Sequence, residues 1–201
     1  MVSCFYTGYF TYRITPSSCD ANRVHLQKSY FEKITSGSNG GAFNANSNLY
    51  TLIMESSGFC DCVATGEHYG GAVYGKVMQA QIKTNCFDFC RAGYQDNAFH
   101  LETPNGYSNI FSYGQLVKCC EKVNSRGRCA YMEGGSVEQT NTNHSFGYAG
   151  EGNTAFRYNA LTSGKGAYNV YVSIRCKTQQ VIDGKDRKST RLNSSHSQIS
   201  Y

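Results

Sequence analysis

The stretch that most constrains this chain is Ala167 to Cys176, Ala-Tyr-Asn-Val-Tyr-Val-Ser-Ile-Arg-Cys. Tyr168, Val170, Val172 and Ile174 alternate with Asn169, Tyr171, Ser173 and Arg175. A period of two built from β-branched and aromatic residues predicts a strand with one buried face. The stretch ends on Cys176, one of ten cysteines, so it also predicts a covalent tie to a distant segment. An even, dense cysteine count points to an oxidising compartment, where each bridge contributes about 2–4 kcal/mol. Cys4, Cys19, Cys60, Cys62, Cys86, Cys90, Cys119, Cys120, Cys129 and Cys176 are therefore all disulfide candidates. Their pairing does not follow from spacing. Adjacent Cys119 and Cys120 are expected to bridge to different partners, because a bond between neighbours strains the peptide joining them.

The rest of the chain reads as strand more than helix. Phe5 to Ile14 is an aromatic, β-prone run that stops near Pro16. Arg23–Ile34 follows a capping Cys19-Asp20 and reads as a short helix or as a strand, since its period is imperfect. Ser36 to Asn48 is a polar loop rich in Gly and Asn. Leu49–Glu55 and Phe59–Ala64 flank Ser56-Ser57-Gly58 as a hairpin, and Phe156–Leu161 and Tyr168–Ile174 flank a Gly-rich turn as a second. Cys86 and Cys90 share a face of a helical turn, and Leu116, Cys119, Cys120 and Val123 follow helical spacing. No internal repeat and no linker are evident. The fold expected is α+β, mainly antiparallel β with one to three short helices, braced by disulfides, in a single domain over residues 1–185.

Residues 186–201 are set apart. Asp186-Arg187-Lys188-Ser189-Thr190-Arg191-Leu192-Asn193-Ser194-Ser195-His196, with Ile199-Ser200-Tyr201, resembles the translation of a sequencing adapter. That tail is expected to be non-native. Met1-Val2-Ser3-Cys4 carries no signal-peptide pattern, so the chain is expected to be a fragment incomplete at both ends. Without Arg187, Lys188, Arg191 and Asp186 the net charge falls from +5 to +3, too small a surplus to argue for nucleic acid or an anionic membrane. No apolar run is long enough to span a bilayer.

Gly58-Phe59-Cys60-Asp61-Cys62-Val63-Ala64-Thr65-Gly66, Lys76-Val77, Cys86, Cys90 and Ala98-Phe99 resemble a pattern in uncharacterised, cysteine-rich exported proteins of gut-associated bacteria. The resemblance covers residues 58–99 and implies a secreted or cell-surface protein, with no activity attached. This chain departs from the pattern in lacking a Trp before Val77 and a third cysteine after Cys90.

Motifs for chemistry are few. The spacings Cys-x-Cys, Cys-x-x-x-Cys and Cys-Cys do not match structural zinc sites, so neither metal nor other cofactor is expected. There is no Gly-x-Ser-x-Gly elbow, no His-Glu-x-x-His and no phosphate-cradling loop. The weak catalytic alternative is Glu67-His68 beside Gly70-Gly71, with His100 as a second base and Asp88 as a second carboxylate. Asn143-His144-Ser145 is a glycosylation sequon only in a eukaryotic source. Abundant Tyr, Asn, Ser and Gly in loops is the chemistry of recognition surfaces. The function expected is an exported, non-catalytic surface module for extracellular ligand binding or adhesion, with a glycan or host-surface partner. The alternatives are a secreted hydrolase using a His–carboxylate pair and a structural cell-envelope protein.

Overall fold

A computed structural model describes residues 3–16, 22–104, 107–119, 128–145, 148–149, 156–172, 175–176 and 182–185. Among them there is no helix, and every strand pairing is parallel. Arg23 pairs with Thr51, Thr51 with Gln79, Ala80 with Asn109, Asn109 with Val137 and Val137 with Gly164, an offset of 27 to 29 residues each time. The chain is therefore a parallel β-solenoid, wound in coils that stack in register. The antiparallel, helix-containing fold expected from the sequence is overturned.

Each full coil runs along three strand faces. The coil that begins at Val73 has the long strand Val73–Lys83, then Cys86–Asp88, and then the short Arg91–Ala92. The bends are single residues in the left-handed region. Lys28, Ser56, Thr84, Tyr113, Asn141 and Tyr168 mark one corner with φ from 49 to 56°, and Lys33, Asp61, Phe89 and Lys118 mark another. A single such residue turns the strand without reversing it. Ser56 therefore sends the chain onward to Phe59, which pairs with Phe31 of the preceding coil rather than folding back on Leu49–Glu55. Likewise Phe156–Ala167 runs unbroken through the expected Gly-rich turn, parallel to Ala130–Thr140.

Inward side chains form columns along the axis. Phe10, Phe31, Phe59 and Phe87 stack with ring centroids 4.8–4.9 Å apart, close to the spacing of paired strands. Burying each such ring contributes about 1.5–3 kcal/mol. The column continues as Leu116 and then buried His144, and a parallel one runs Leu26, Met54, Ile82, Phe111, Gln139. Just after the first corner, Ser29, Ser57, Asn85 and Thr142 are buried, and the side chains of the first three bond backbone groups of neighbouring coils. The Ser29 amide donates to Ser57 Oγ and the Ser57 amide to Asn85 Oδ1.

The cysteine brace is also corrected. Cys60, Cys62, Cys86, Cys90 and Cys119 carry free thiols, whereas Cys4 is disulfide-bonded. Cys62, Cys90 and Cys119 lie at equivalent inward positions, where each thiol donates weakly to a carbonyl of the coil before it, on Phe31, Phe59 and Phe87. They act as small apolar fillers with a polar tip. Cys19 and Cys120 lie outside the described residues, as does the expected tail, and of Cys176 only the backbone is described. That backbone, Arg175–Cys176, pairs with Tyr148–Ala149. Of the opening stretch, Val170–Val172 forms a strand in parallel register with Asn143–Ser145. Tyr168 and Val170 are exposed, and Tyr171 takes the register of buried His144.

Candidate functional site

Three in-register strands, Val73–Lys83, Phe99–Glu102 and Ala130–Thr140, build one outer face. Alternation sends Val73, Gly75 and Val77 inward, leaving Tyr74 and Lys76 outward. Pairing then aligns Tyr74, His100 and Tyr131 in one outward row, and Lys76, Glu102 and Glu133 in the next. The first row is nonetheless buried, at 6%, 5% and 9% exposure. The segments leading into the strands fold back over it. Tyr69 lies 4.8 Å from the His100 ring, and the Arg128 guanidinium sits 4.3 Å above Tyr131.

An ionic chain threads this cover. Arg128 donates from Nε and Nη2 to the Asp96 carboxylate at 2.6 and 3.0 Å. His100 Nδ1 lies 2.6 Å from Asp96 Oδ2, and its Nε2 lies 2.7 Å from Glu102 Oε1. Lys76 Nζ closes the chain on Glu102 Oε2 at 3.0 Å. Exposure rises along it, from none at the Asp96 side chain to 33% at Glu102 and 45% at Lys76. Burial alone would lower the pKa of His100, but hydrogen bonds and charge from Asp96 and Glu102 outweigh it, and the net shift is upward. The His100 hydrogen bond, helped by Lys76 against a burial penalty, lowers Glu102 to about 2. Beside Glu102, the Glu133 carboxylate accepts from the Tyr131 hydroxyl at 2.5 Å.

Glu102 opens onto a cavity of about 290 Å³ lined also by Lys76, Thr103, Pro104 and Glu133. It sits where the coil is irregular. Glu102 pairs with Lys76 but Asn109 with Ala80, so the chain here has three residues more than its neighbour strand. Asn109 closes the gap from inside. Its Oδ1 accepts from the Ala80 amide, and its Nδ2 donates to Thr103 Oγ1 and the Glu133 carbonyl.

Of the residues named from sequence, His100 does meet carboxylates, though these are Asp96 and Glu102 rather than Glu67 or Asp88. Glu67 is exposed and His68 half-buried on the turn before Tyr69, and among the described residues neither takes part in an ion pair. Sequence reasoning missed Asp96, Arg128, Lys76, Glu102 and Glu133. The signal for one of them was local, since His100-Leu101-Glu102 places His and Glu on one strand face. The others align only once coils are superimposed.

The arrangement holds charge in place and offers little for bond breaking. The pKa of the Glu102 carboxyl is lowered, away from the range of a general acid. The Thr103 hydroxyl is occupied, donating to the Glu133 carbonyl and accepting from Asn109. Among the described residues no group of three or more His, Cys, Asp or Glu is placed to hold a metal ion, and no helix is long and apolar enough to cross a membrane. Comparison with protein families, curated proteins and solved structures returns no match to this chain.

Proposed function

We propose that the protein is a non-catalytic ligand-binding module that seats a glycan in the cavity over Glu102 and Glu133. The observation that carries this reading is the fixed orientation of both carboxylates, Glu102 by His100 and Lys76 and Glu133 by Tyr131. Carboxylates held by other groups accept hydrogen bonds from neighbouring hydroxyls at little ordering cost. The Lys76 ammonium supplies donors, and Pro104 offers an apolar edge to the C–H face of a sugar ring. A cavity of about 290 Å³ lies near the lower end of small-molecule sites, which span roughly 300–1,000 Å³, so one or two sugar units fit. With most of the described thiols free, the cysteine count does not carry the case for export. Export enters this proposal only through the resemblance of residues 58–99.

A glycan array followed by titration of the hits tests the reading. Saturable binding is expected, weakened at least about tenfold, or about 1.4 kcal/mol, in Glu133→Gln. Turnover of a bound glycan would support the hydrolase instead. Silence in both assays would favour a structural envelope role.

A further inference from the structure

We propose that His100 is a positioning residue that gates this cavity by its proton: the imidazolium fixes the Glu102 carboxylate, and its deprotonation releases that carboxylate. The inference rests on the cavity described above, but the Glu102 switch is testable without any ligand.

Both ring nitrogens face carboxylate oxygens, at 2.6 and 2.7 Å. An imidazolium donates from both nitrogens, whereas a neutral imidazole has one N–H and one lone pair. Whichever carboxylate met the lone pair would lose its hydrogen bond and be repelled. The groups around His100 are Tyr69 from the segment before Val73, Tyr74 and Lys76 from that strand, Asp96 and Glu102 from its own coil, and Arg128 and Tyr131 from the next. Glu133 and Arg157 flank Tyr131 further out and add one charge of each sign. Asp96 and Glu102 balance Arg128 and Lys76, so what favours the imidazolium is the two carboxylate oxygens that face its nitrogens. Three tyrosine rings surround it at centroid distances of 4.8, 5.3 and 4.9 Å, a setting that favours a cation. Their hydroxyls all titrate above their ordinary value, chiefly because of burial, and so stay neutral near pH 7.

Burial decides which end lets go. The Asp96 side chain is fully enclosed and is pinned twice by Arg128. Glu102 is one-third exposed, and beyond His100 its ion-pair partner is Lys76, itself 45% exposed. The remaining proton therefore stays on Nδ1, facing Asp96, and Glu102 swings toward solvent. A ligand that needs Glu102 fixed is then held at low and neutral pH and lost as pH rises.

Histidine-resolved NMR of the full chain tests this, with the Glu102 carboxyl ¹³C resonance followed over the same titration. The expected result is an imidazolium pattern at His100 in neutral buffer, and a midpoint above the ordinary value of about 6.5. The Glu102 resonance should move at that same midpoint. Glu102→Gln should lower the midpoint by about 1–3 pH units, while Glu133→Gln leaves the His100–Glu102 coupling intact. A neutral imidazole, a Glu102 resonance that ignores the His100 midpoint, or a midpoint unmoved by Glu102→Gln would overturn the proposal. In the binding arm, glycan affinity should fall about tenfold per pH unit above the midpoint, and His100→Gln should flatten that profile. A glycan bound with no pH dependence would also overturn it. If no glycan binds, the glycan-binding reading fails while the NMR result still decides the role of His100.

Discussion

Two histidines show how far environment sets chemistry in this chain. His144 is buried at an inward position that other coils fill with Phe or Leu, and burial lowers its pKa to about 3. His100 lies at an outward position among carboxylates and is shifted upward. Their effects on stability run in opposite directions. A folded value below the unfolded one means that the unfolded chain takes up the proton first as pH falls. His144 therefore removes stability between about pH 6.5 and 3, at up to about 1.4 kcal/mol per pH unit. His100 adds stability below its unfolded value and loses it as pH rises through its folded value. Urea unfolding from pH 7 to pH 4 is expected to show a steep loss of stability that His144→Gln largely removes. A slope unchanged in that variant would assign the acid sensitivity elsewhere.

At the scale of the element, the corners carry the fold and hide it from sequence. The first corner is occupied by Lys28, Ser56, Thr84, Tyr113, Asn141 and Tyr168, which share a backbone angle and nothing else. For a residue with a Cβ this conformation costs roughly 1–2 kcal/mol, and a β-branched residue suits it least. Thr84 is exposed, with φ at 56°. Thr84→Gly should therefore raise stability by about 1 kcal/mol, after allowing for the flexibility glycine adds to the unfolded chain. In a thermal melt that is a gain of about 2–4 °C. The same corners explain what could be read from the chain. The strand content was legible, because alternation survives in Arg23–Glu32 and Val73–Lys83. Direction was not, because Ser56-Ser57-Gly58 has the composition of a hairpin turn while a single left-handed residue there produces a bend. The repeat was written at inward positions, with Phe31, Phe59 and Phe87 equally spaced and Gly40-Gly41-Ala42 echoed by Gly70-Gly71-Ala72. The glycines are needed because a Cβ on Gly41 would lie 2.2 Å from the Gly71 carbonyl oxygen. Leu116 and His144 break the Phe series, which blurs the period. The candidate site was legible only at His100 and Glu102, since Asp96 and Arg128 are joined to it by coil stacking.

For the whole molecule, stacking means that each coil is stabilised mainly by the coils beside it. The apolar columns run from Leu26 and Phe31 to Phe111 and Leu116, where Asn109 already enters the interior, and the next coil places Gln139 and His144 inside. Those residues are hydrogen-bonded, but they bury less apolar surface than the side chains they replace. Hydrogen exchange followed by mass spectrometry should show the slowest amides in Arg23–Glu32, Phe43–Glu55 and Val73–Lys83, with protection falling toward Asn143–Ser145. Uniform protection would mean that the stack opens as one unit.

The coil also behaves as a reading frame. A solenoid has no closure condition, so nothing in its geometry fixes how many coils it contains. Duplicating one coil, an offset of 27 to 29 residues in the pairing, would lengthen the stack by about 4.8 Å and leave every column in phase. One residue inserted within a strand would instead send each following side chain of that strand to the opposite face. Change in this architecture is quantised. Whole coils are tolerated, as are small loops such as the one beside Thr103, and the cavity over Glu102 has arisen at such a loop.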